Sequence, residues 1–190
     1  MEIRKRKPII FIVSGKANTG KDTTCDFIRA NMLLKNIKSI KLQFSSYIKM
    51  YAKELSSWDG SEKTKPRTLL QELGTDVIRK NLGDDFFVKR MVDDINVYSY
   101  YLDVITISDT RFPIEIDTIY NNFDNVIRIN VERPNFENNL NNLERKHISE
   151  TALDNYDKYD YKLVNDGTLD DLNNKIKDML EEVLNNEKVK

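Results

Sequence analysis

What this chain lacks narrows its chemistry before any motif is considered. It has one cysteine, Cys25, in 190 residues. No disulfide can form within it, and a reducing compartment is expected: the cytoplasm, or the host's cytoplasm if the gene is viral. It has one histidine, His147, with no histidine or cysteine cluster around it, which argues against a zinc site. It has no charge excess, because 30 Lys and Arg face 31 Asp and Glu for a net charge of -1. A dedicated nucleic-acid binder usually carries a basic surplus, so positive charge must act locally, at a site for small molecules. The apolar run Pro8 to Ser14 is far too short to cross a bilayer. No small-residue cleavage site follows it, so it is not read as a signal peptide, and Arg4 to Lys7 is a solvated approach to a strand. No repeat and no linker interrupts residues 1–190, which predicts a single domain, as a monomer or homodimer, without nucleic acid or membrane as partner.

What is present alternates between strand and helix signals. Residues 8–14 form a continuous apolar run, as in a parallel strand buried on both faces. A helix from about Gly20 carries Thr24, Phe27, Ile28 and Met32. Ile40, Leu42 and Phe44 alternate with polar residues and predict a short strand. Residues 47–55 read as helix and 56–61 as loop. From Pro66 the pattern Leu69, Leu70, Leu73, Val77 and Ile78 predicts one face of a helix that Gly83 ends. Further helices are expected over 85–98 and 115–121, and strands over 102–107, 126–131 and 161–164. Thr168 with Asp171 resembles a capping box opening a last helix whose apolar stripe starts at Leu169. Residues 132–158 are polar and aperiodic, the composition of a lid. The alternation predicts an α/β fold with a parallel sheet covered by helices on both faces.

The first strand runs into Gly15-x-x-x-x-Gly20-Lys21 and then a helix, the context that identifies a P-loop. Glycines allow the backbone of Gly15, Ala17, Asn18, Thr19 and Gly20 to wrap a phosphate, and main-chain N–H groups with the helix N-terminus face the anion. Lys21 supplies a mobile positive charge for the β- and γ-phosphates of ATP. The usual pattern has Ser or Thr after the lysine to bind Mg²⁺. Here Asp22 stands there, followed by Thr23 and Thr24. Asp22 is read as a metal ligand, direct or through water, with a favourable first-turn acid as the alternative.

Other charged groups fall where ligands bind in such sheets, past the carboxyl ends of strands. Asp109 and Arg111 end one strand, and Glu115 lies four residues after Arg111, within reach of it in a helix; a bare surface ion pair is the alternative. Arg67, Gln71, Gly74 and Thr75 lie on or beside one helix. Arg67 would clamp a monophosphate and Gln71 would read a base edge. Phe86 and Phe87 read as core by default, with stacking on a base as the alternative. Arg133 and Arg145, with Lys146 and His147, lie in the lid segment.

These blocks together resemble the phage-type deoxynucleoside monophosphate kinases, those of T-even phages especially. The matches are Ser14-Gly15, Thr19 to Thr24, Leu70 to Asp76, Asp109-Thr110-Arg111 with Glu115, Arg133-Pro134, His147 to Glu150, and Asn165 to Thr168, in that order along the chain. The Asp after the lysine is a trait of that family. The resemblance implies an adenylate-kinase-like P-loop NTPase fold, with a monophosphate-binding region over about 45–98 and a lid over about 132–158. It implies an acceptor site lined by Arg67, Gly74, Thr75, Phe87, Arg111 and Glu115, and a donor adenine near Asn165 and Gly167. Two departures touch the acceptor base: residues 45–65 are shorter than in the T-even relative, and Phe87 replaces its tryptophan. Base preference is therefore not carried over. The expected reaction is phosphoryl transfer from ATP to a deoxynucleoside monophosphate, with Lys21, Asp109 and Arg111 as the catalytic set. The alternatives are a P-loop kinase for another phosphorylated acceptor, or a nucleotide-binding protein without catalysis.

Overall fold

The computed structural model describes residues 5–134, 136 and 145–187. Strands β1 (Ile9–Ser14), β2 (Ser39–Leu42), β3 (Val104–Thr110), β4 (Val126–Glu132) and β5 (Tyr161–Val164) form one parallel sheet in the order β2-β3-β1-β4-β5. Helices α1 (Lys21–Leu34), α2 (Ser45–Ser56), α3 (Arg67–Gln71), a π-helix (Glu72–Arg79), α4 (Lys80–Leu82), α5 (Phe86–Tyr98), α6 (Pro113–Asn122), α7 (Ile148–Thr151) and α8 (Leu169–Glu187) complete it. This is the covered parallel sheet that the alternating pattern predicts.

β1 is central and wholly buried, which explains its unbroken apolar run. Its side chains divide between the two faces, as the two-residue strand period requires. Ile9, Phe11 and Val13 join Ile28 and Met32 of α1 and Leu172, Ile176 and Leu180 of α8. Ile10 and Ile12 join Phe87, Met91 and Ile95 of α5 and Ile116 and Ile119 of α6. Because all five strands are parallel, their carboxyl ends open on one edge. Ser14, Gln43, Arg111, Arg133 and Asn165 stand at or just past those ends, and β1 lies between β3 and β4 at the switch point where ligands bind in open α/β sheets. The capping box of α8 forms: Asp171 N–H donates to Thr168 Oγ1 at 3.2 Å and Thr168 N–H to Asp171 Oδ2 at 2.8 Å.

Two expectations fail for physical reasons. Phe44 does not extend β2. It is buried at the start of α2, because Asp109 accepts the N–H groups of Phe44 and Ser45, both at 2.9 Å, and turns the chain into helix. Val77 does not share the buried face of Leu73 and Ile78; it is half exposed. Glu72–Arg79 has π geometry, in which each residue advances less round the axis. The wider turn brings Ile78 round beside Leu73 and Gly74, and leaves Val77 at the rim of that buried face. Of the lid segment, residues 135 and 137–144 lie outside the described residues. Its later part holds α7 and the turns that follow. Among the described residues no helix is long and apolar enough to cross a membrane.

β1 ends in a turn that only glycine fits. Gly15 has φ 145°, and a Cβ there would stand 2.3 Å from the carbonyl oxygen of Val131 on β4. Gly15→Ala is expected to lower unfolding free energy by about 1–3 kcal/mol and to weaken ADP binding. Urea denaturation with calorimetry checks this, and wild-type values for both would mean that the loop is not held against β4.

Candidate active site

The loop after β1 is built to meet an anion. Asn18 and Gly20 have φ of 61° and 105°, and their left-handed turns curl the chain back toward α1. Gly20, the N-cap, leaves the first N–H groups of α1 without a side-chain partner, so they remain available to phosphate oxygens. Lys21 is 7% exposed, and its Nζ donates 2.7 Å to the carbonyl oxygen of Lys16 across the loop. Asn165, past β5, donates 2.9 Å to the carbonyl oxygen of Thr19 and braces the loop from behind.

On one side of this loop a cleft of about 650 Å³ is lined by Lys21, Asp22, Gln43, Arg67, Gln71, Thr75, Arg79, Asp109, Arg111 and Glu115, among others. Arg67, Gln71, Thr75 and Arg79 recur every four residues along α3 and the π-helix. In an α-helix of 3.6 residues per turn such a stripe drifts round the axis. The wider π turn drifts it back, so all four positions face the same space. A buried ion pair forms the floor. Glu115 is 2% exposed, and its Oε1 accepts from Arg79 Nη2 at 2.7 Å. Its Oε2 accepts the N–H groups of Arg111 and Phe112 at 2.7 and 3.1 Å. The Arg79 guanidinium lies 4.1 Å from the Phe112 ring centroid and 5.1 Å from that of Phe87, with Nη1 donating to Gly74 O at 3.1 Å.

On the other side a cleft of about 530 Å³ includes Gly15, Ala17, Thr19, Arg111, Arg133, Phe136 and Tyr159. Arg111 faces both clefts. Two clefts meeting at a P-loop suit a donor and an acceptor.

Residues 38–176 match the sequence model of the family described as deoxynucleotide monophosphate kinase. The chain belongs to the deoxynucleotide monophosphate kinase family. It is thus a monophosphate kinase, and kinases of this kind use ATP. The P-loop precedes the matched span, so the family match and the loop geometry bear on different residues. No match was found among curated proteins. Solved structures share the fold of this kinase at low identity. The Mycobacterium tuberculosis APS kinase in complex with AMPPNP and APS has a TM-score of 0.54 at 12% identity, over 93% of this chain and 99% of that one. The Campylobacter jejuni dephospho-CoA kinase has 0.52 at 15%, over 93% and 98%. The Aquifex aeolicus shikimate kinase has 0.50 at 14%, over 92% and 97%.

In this kinase several residues singled out from sequence stand elsewhere than expected. Phe87 does not line the acceptor cleft; it is fully buried behind Arg79 and stacks with Tyr47, as the reading of it as core has it. Gly74 is buried against α2, where a Cβ would stand 3.0 Å from Ile48 Cδ1. Asp109 holds the start of α2 with both carboxylate oxygens. Glu115 pairs with Arg79 rather than with the Arg111 side chain, because its carboxylate turns back over its own helix start. Asn165 and Gly167 line neither cleft: Asn165 braces the loop, and Gly167 packs on Asp171. Thr23 is half-buried on the first turn of α1 and Arg145 is exposed, both outside the cleft walls. Arg133 lines the second cleft, 4.1 Å from the Phe136 ring. Sequence reasoning missed Arg79, although the four-residue spacing after Arg67, Gln71 and Thr75 pointed to it. It also missed Gln43 and Ser108, which carry no motif of their own, and gave Lys16 no role beyond its place in the phosphate loop.

Asp22 is exposed, and its Oδ1 accepts from Ser108 Oγ at 2.8 Å and Gln43 Nε2 at 3.1 Å. Among the described residues no cluster of three or more His, Cys, Asp or Glu could hold a metal. Mg²⁺ needs none, since it is commonly bound by one or two carboxylates, waters and substrate phosphates. A carboxylate and a hydroxyl oxygen beside the P-loop fit it.

Burial, then the neighbouring Arg111 charge, lowers the Lys21 ammonium to about 8. A bound phosphate must raise it again. At pH 8.5 the free enzyme's lysine is mostly neutral, so ADP binding is expected to take up about half a proton or more. Affinity should fall as pH rises through 8. Calorimetry in two buffers of different ionisation enthalpy reads this directly, and no uptake would remove Lys21 from phosphate binding.

Burial pushes Glu115 up to about 7, opposed by the Arg111 N–H and the Arg79 guanidinium. Arg79→Ala strips a buried carboxylate of its cation and is expected to cost about 3–5 kcal/mol of stability at pH 8. Without the guanidinium the folded pKa rises above about 7, and the variant retains a proton that the wild type gives up. The deficit should therefore be smaller at pH 6 and grow as pH rises past 7. A pH-independent deficit by denaturation would contradict the pairing.

Proposed function

We propose that this kinase transfers the γ-phosphoryl group of ATP to the phosphate of a deoxynucleoside monophosphate, giving ADP and the diphosphate. The observation that carries the reading is that Lys21, Arg67 and Arg111 line one cleft, with the hydrogen-bonding side chains Gln71 and Thr75 on the same stripe as Arg67. A phosphate dianion in such a cleft needs compensating cations. The polar stripe above it suits the edge of a base, and the family match supports a deoxynucleotide as its owner.

The acceptor phosphate oxygen is already an anion, so no general base is needed. Arg67 and Arg111 hold the acceptor phosphate. Lys21 and the α1 N–H groups hold the donor phosphates. The contribution of the chain is in-line positioning and neutralisation of charge as the phosphoryl group moves. Asp22 and Ser108 would hold Mg²⁺, which neutralises phosphate charge when bound. Asp109 acts through α2: by fixing its first turn it sets Gln43 beside Asp22. Arg133 covers the donor side of the loop. Substrates on this reading are small molecules in both clefts, with no nucleic acid involved.

The test is steady-state kinetics of Arg67→Ala and Arg111→Ala with dAMP, dCMP, dGMP and dTMP. Each variant is expected to lose roughly 2–4 kcal/mol of transition-state stabilisation, with raised acceptor KM and lowered kcat. ATP affinity should change much less. Wild-type kcat/KM in both variants on the best acceptor would refute the clamp.

A further inference from the structure

Among the described residues Glu150 is the one acidic side chain on the walls of both clefts. It stands on α7, only 12% of its side chain is exposed, and its Oε1 lies 2.5 Å from Arg111 Nη1. Its Oε2 is buried and has no hydrogen-bond partner among the described residues. An unpartnered carboxylate oxygen in a closed space is costly and marks an arrangement open to exchange. The carboxylate also lies within electrostatic reach of the Lys21 ammonium. The segment is held there through the P-loop itself: Lys16 Nζ donates 2.7 Å to the carbonyl oxygen of Glu150 and pairs with Asp154. A carboxylate thus stands among the cations that a phosphate requires, using one oxygen and leaving the other unused.

We propose that Glu150 holds the place of a substrate phosphate on Arg111 in the free kinase and is displaced when that phosphate binds. The proposal rests on the reading of Arg111 as a phosphate clamp. A phosphate dianion offers three oxygens and twice the charge, so it meets Arg111 and Lys21 better than one carboxylate does. Until it arrives, Glu150 keeps the guanidinium oriented and neutralised, which limits the repulsion between Arg111 and Lys21. The cost is competition: part of the phosphate's binding energy goes to breaking the Arg111–Glu150 pair, as for any ligand that must displace a resident group.

Binding of inorganic phosphate, followed by phosphorus NMR titration on the full chain, tests this without a choice of base. Glu150→Gln is expected to bind roughly three- to fivefold more tightly than wild type, the upper worth of a partly exposed ion pair. Glu132→Gln, which removes the same charge from the second cleft's wall without touching Arg111, is expected to stay within about twofold. Equal tightening by both, or no tightening by Glu150→Gln, overturns the proposal. If Glu150→Gln fails to fold, Asp154→Asn loosens the same segment through Lys16 and is expected to tighten binding too; unchanged affinity there overturns it. Arg111→Ala separates the two ideas. If it weakens phosphate while the Glu150 variant is unchanged, the clamp stands and the place-holder falls. If Arg111→Ala binds as wild type does, both fall.

Discussion

The buried carboxylate of Glu115 is the joint on which the acceptor side depends. One oxygen holds Arg79 of the π-helix and the other holds the main chain of Arg111 and Phe112. Three separate features therefore share one anion: the helix that carries the polar stripe, the turn that carries Arg111, and the first turn of α6. A group this deeply buried is costly as an ion unless its oxygens are hydrogen-bonded, and here two backbone N–H groups and a guanidinium serve them. The same requirement keeps Arg79 sandwiched between Phe87 and Phe112, where a planar, weakly hydrated cation packs well.

The phosphate loop presents a different problem, several cations brought close to one another. Lys16 and Arg111 line one cleft with Ala17, and Lys21 and Arg111 line the other with it. The free protein balances them with carbonyl oxygens and with the acids of the segment after β4, Glu150 and Asp154. Net charge near zero for the whole chain conceals this local imbalance. A phosphate would meet these cations with more charge and more oxygens than a single carboxylate does.

The π-helix links the two halves of the argument. A helix of uniform pitch would turn Arg67 and Arg79 to different sides; the change of pitch keeps Arg67, Gln71, Thr75 and Arg79 on one cleft while Leu73 and Ile78 remain in the core. Such segments cost hydrogen-bond quality and are found most often where a site needs them.

The sequence by itself determined the fold class and the donor side. A strand such as β1, apolar from Ile9 to Val13, reads as buried on both faces of a parallel sheet, and Gly15 to Lys21 after it reads as a phosphate loop, although Val131 and Asn165 hold that loop from far along the chain. Strand alternation and capping are likewise local or periodic, and Leu73, Thr168 and Asp171 stand where their patterns put them; the strand order is set only when the sheet assembles. The tertiary structure alone decided the acceptor side. Whether Glu115 meets Arg111 or Arg79, whether Phe87 faces a ligand or the core, and whether Asp109 meets a metal or the start of α2 all depend on which helix crosses which strand end. Pitch decided Val77 and Arg79, since α and π turns read the same residues into different faces. Glu150 reaches Arg111 from 39 residues away in the chain. Local patterns carry the information for backbone hydrogen bonding, whereas charge pairing in a cleft is settled only when separate elements pack and one carboxylate must choose between cations.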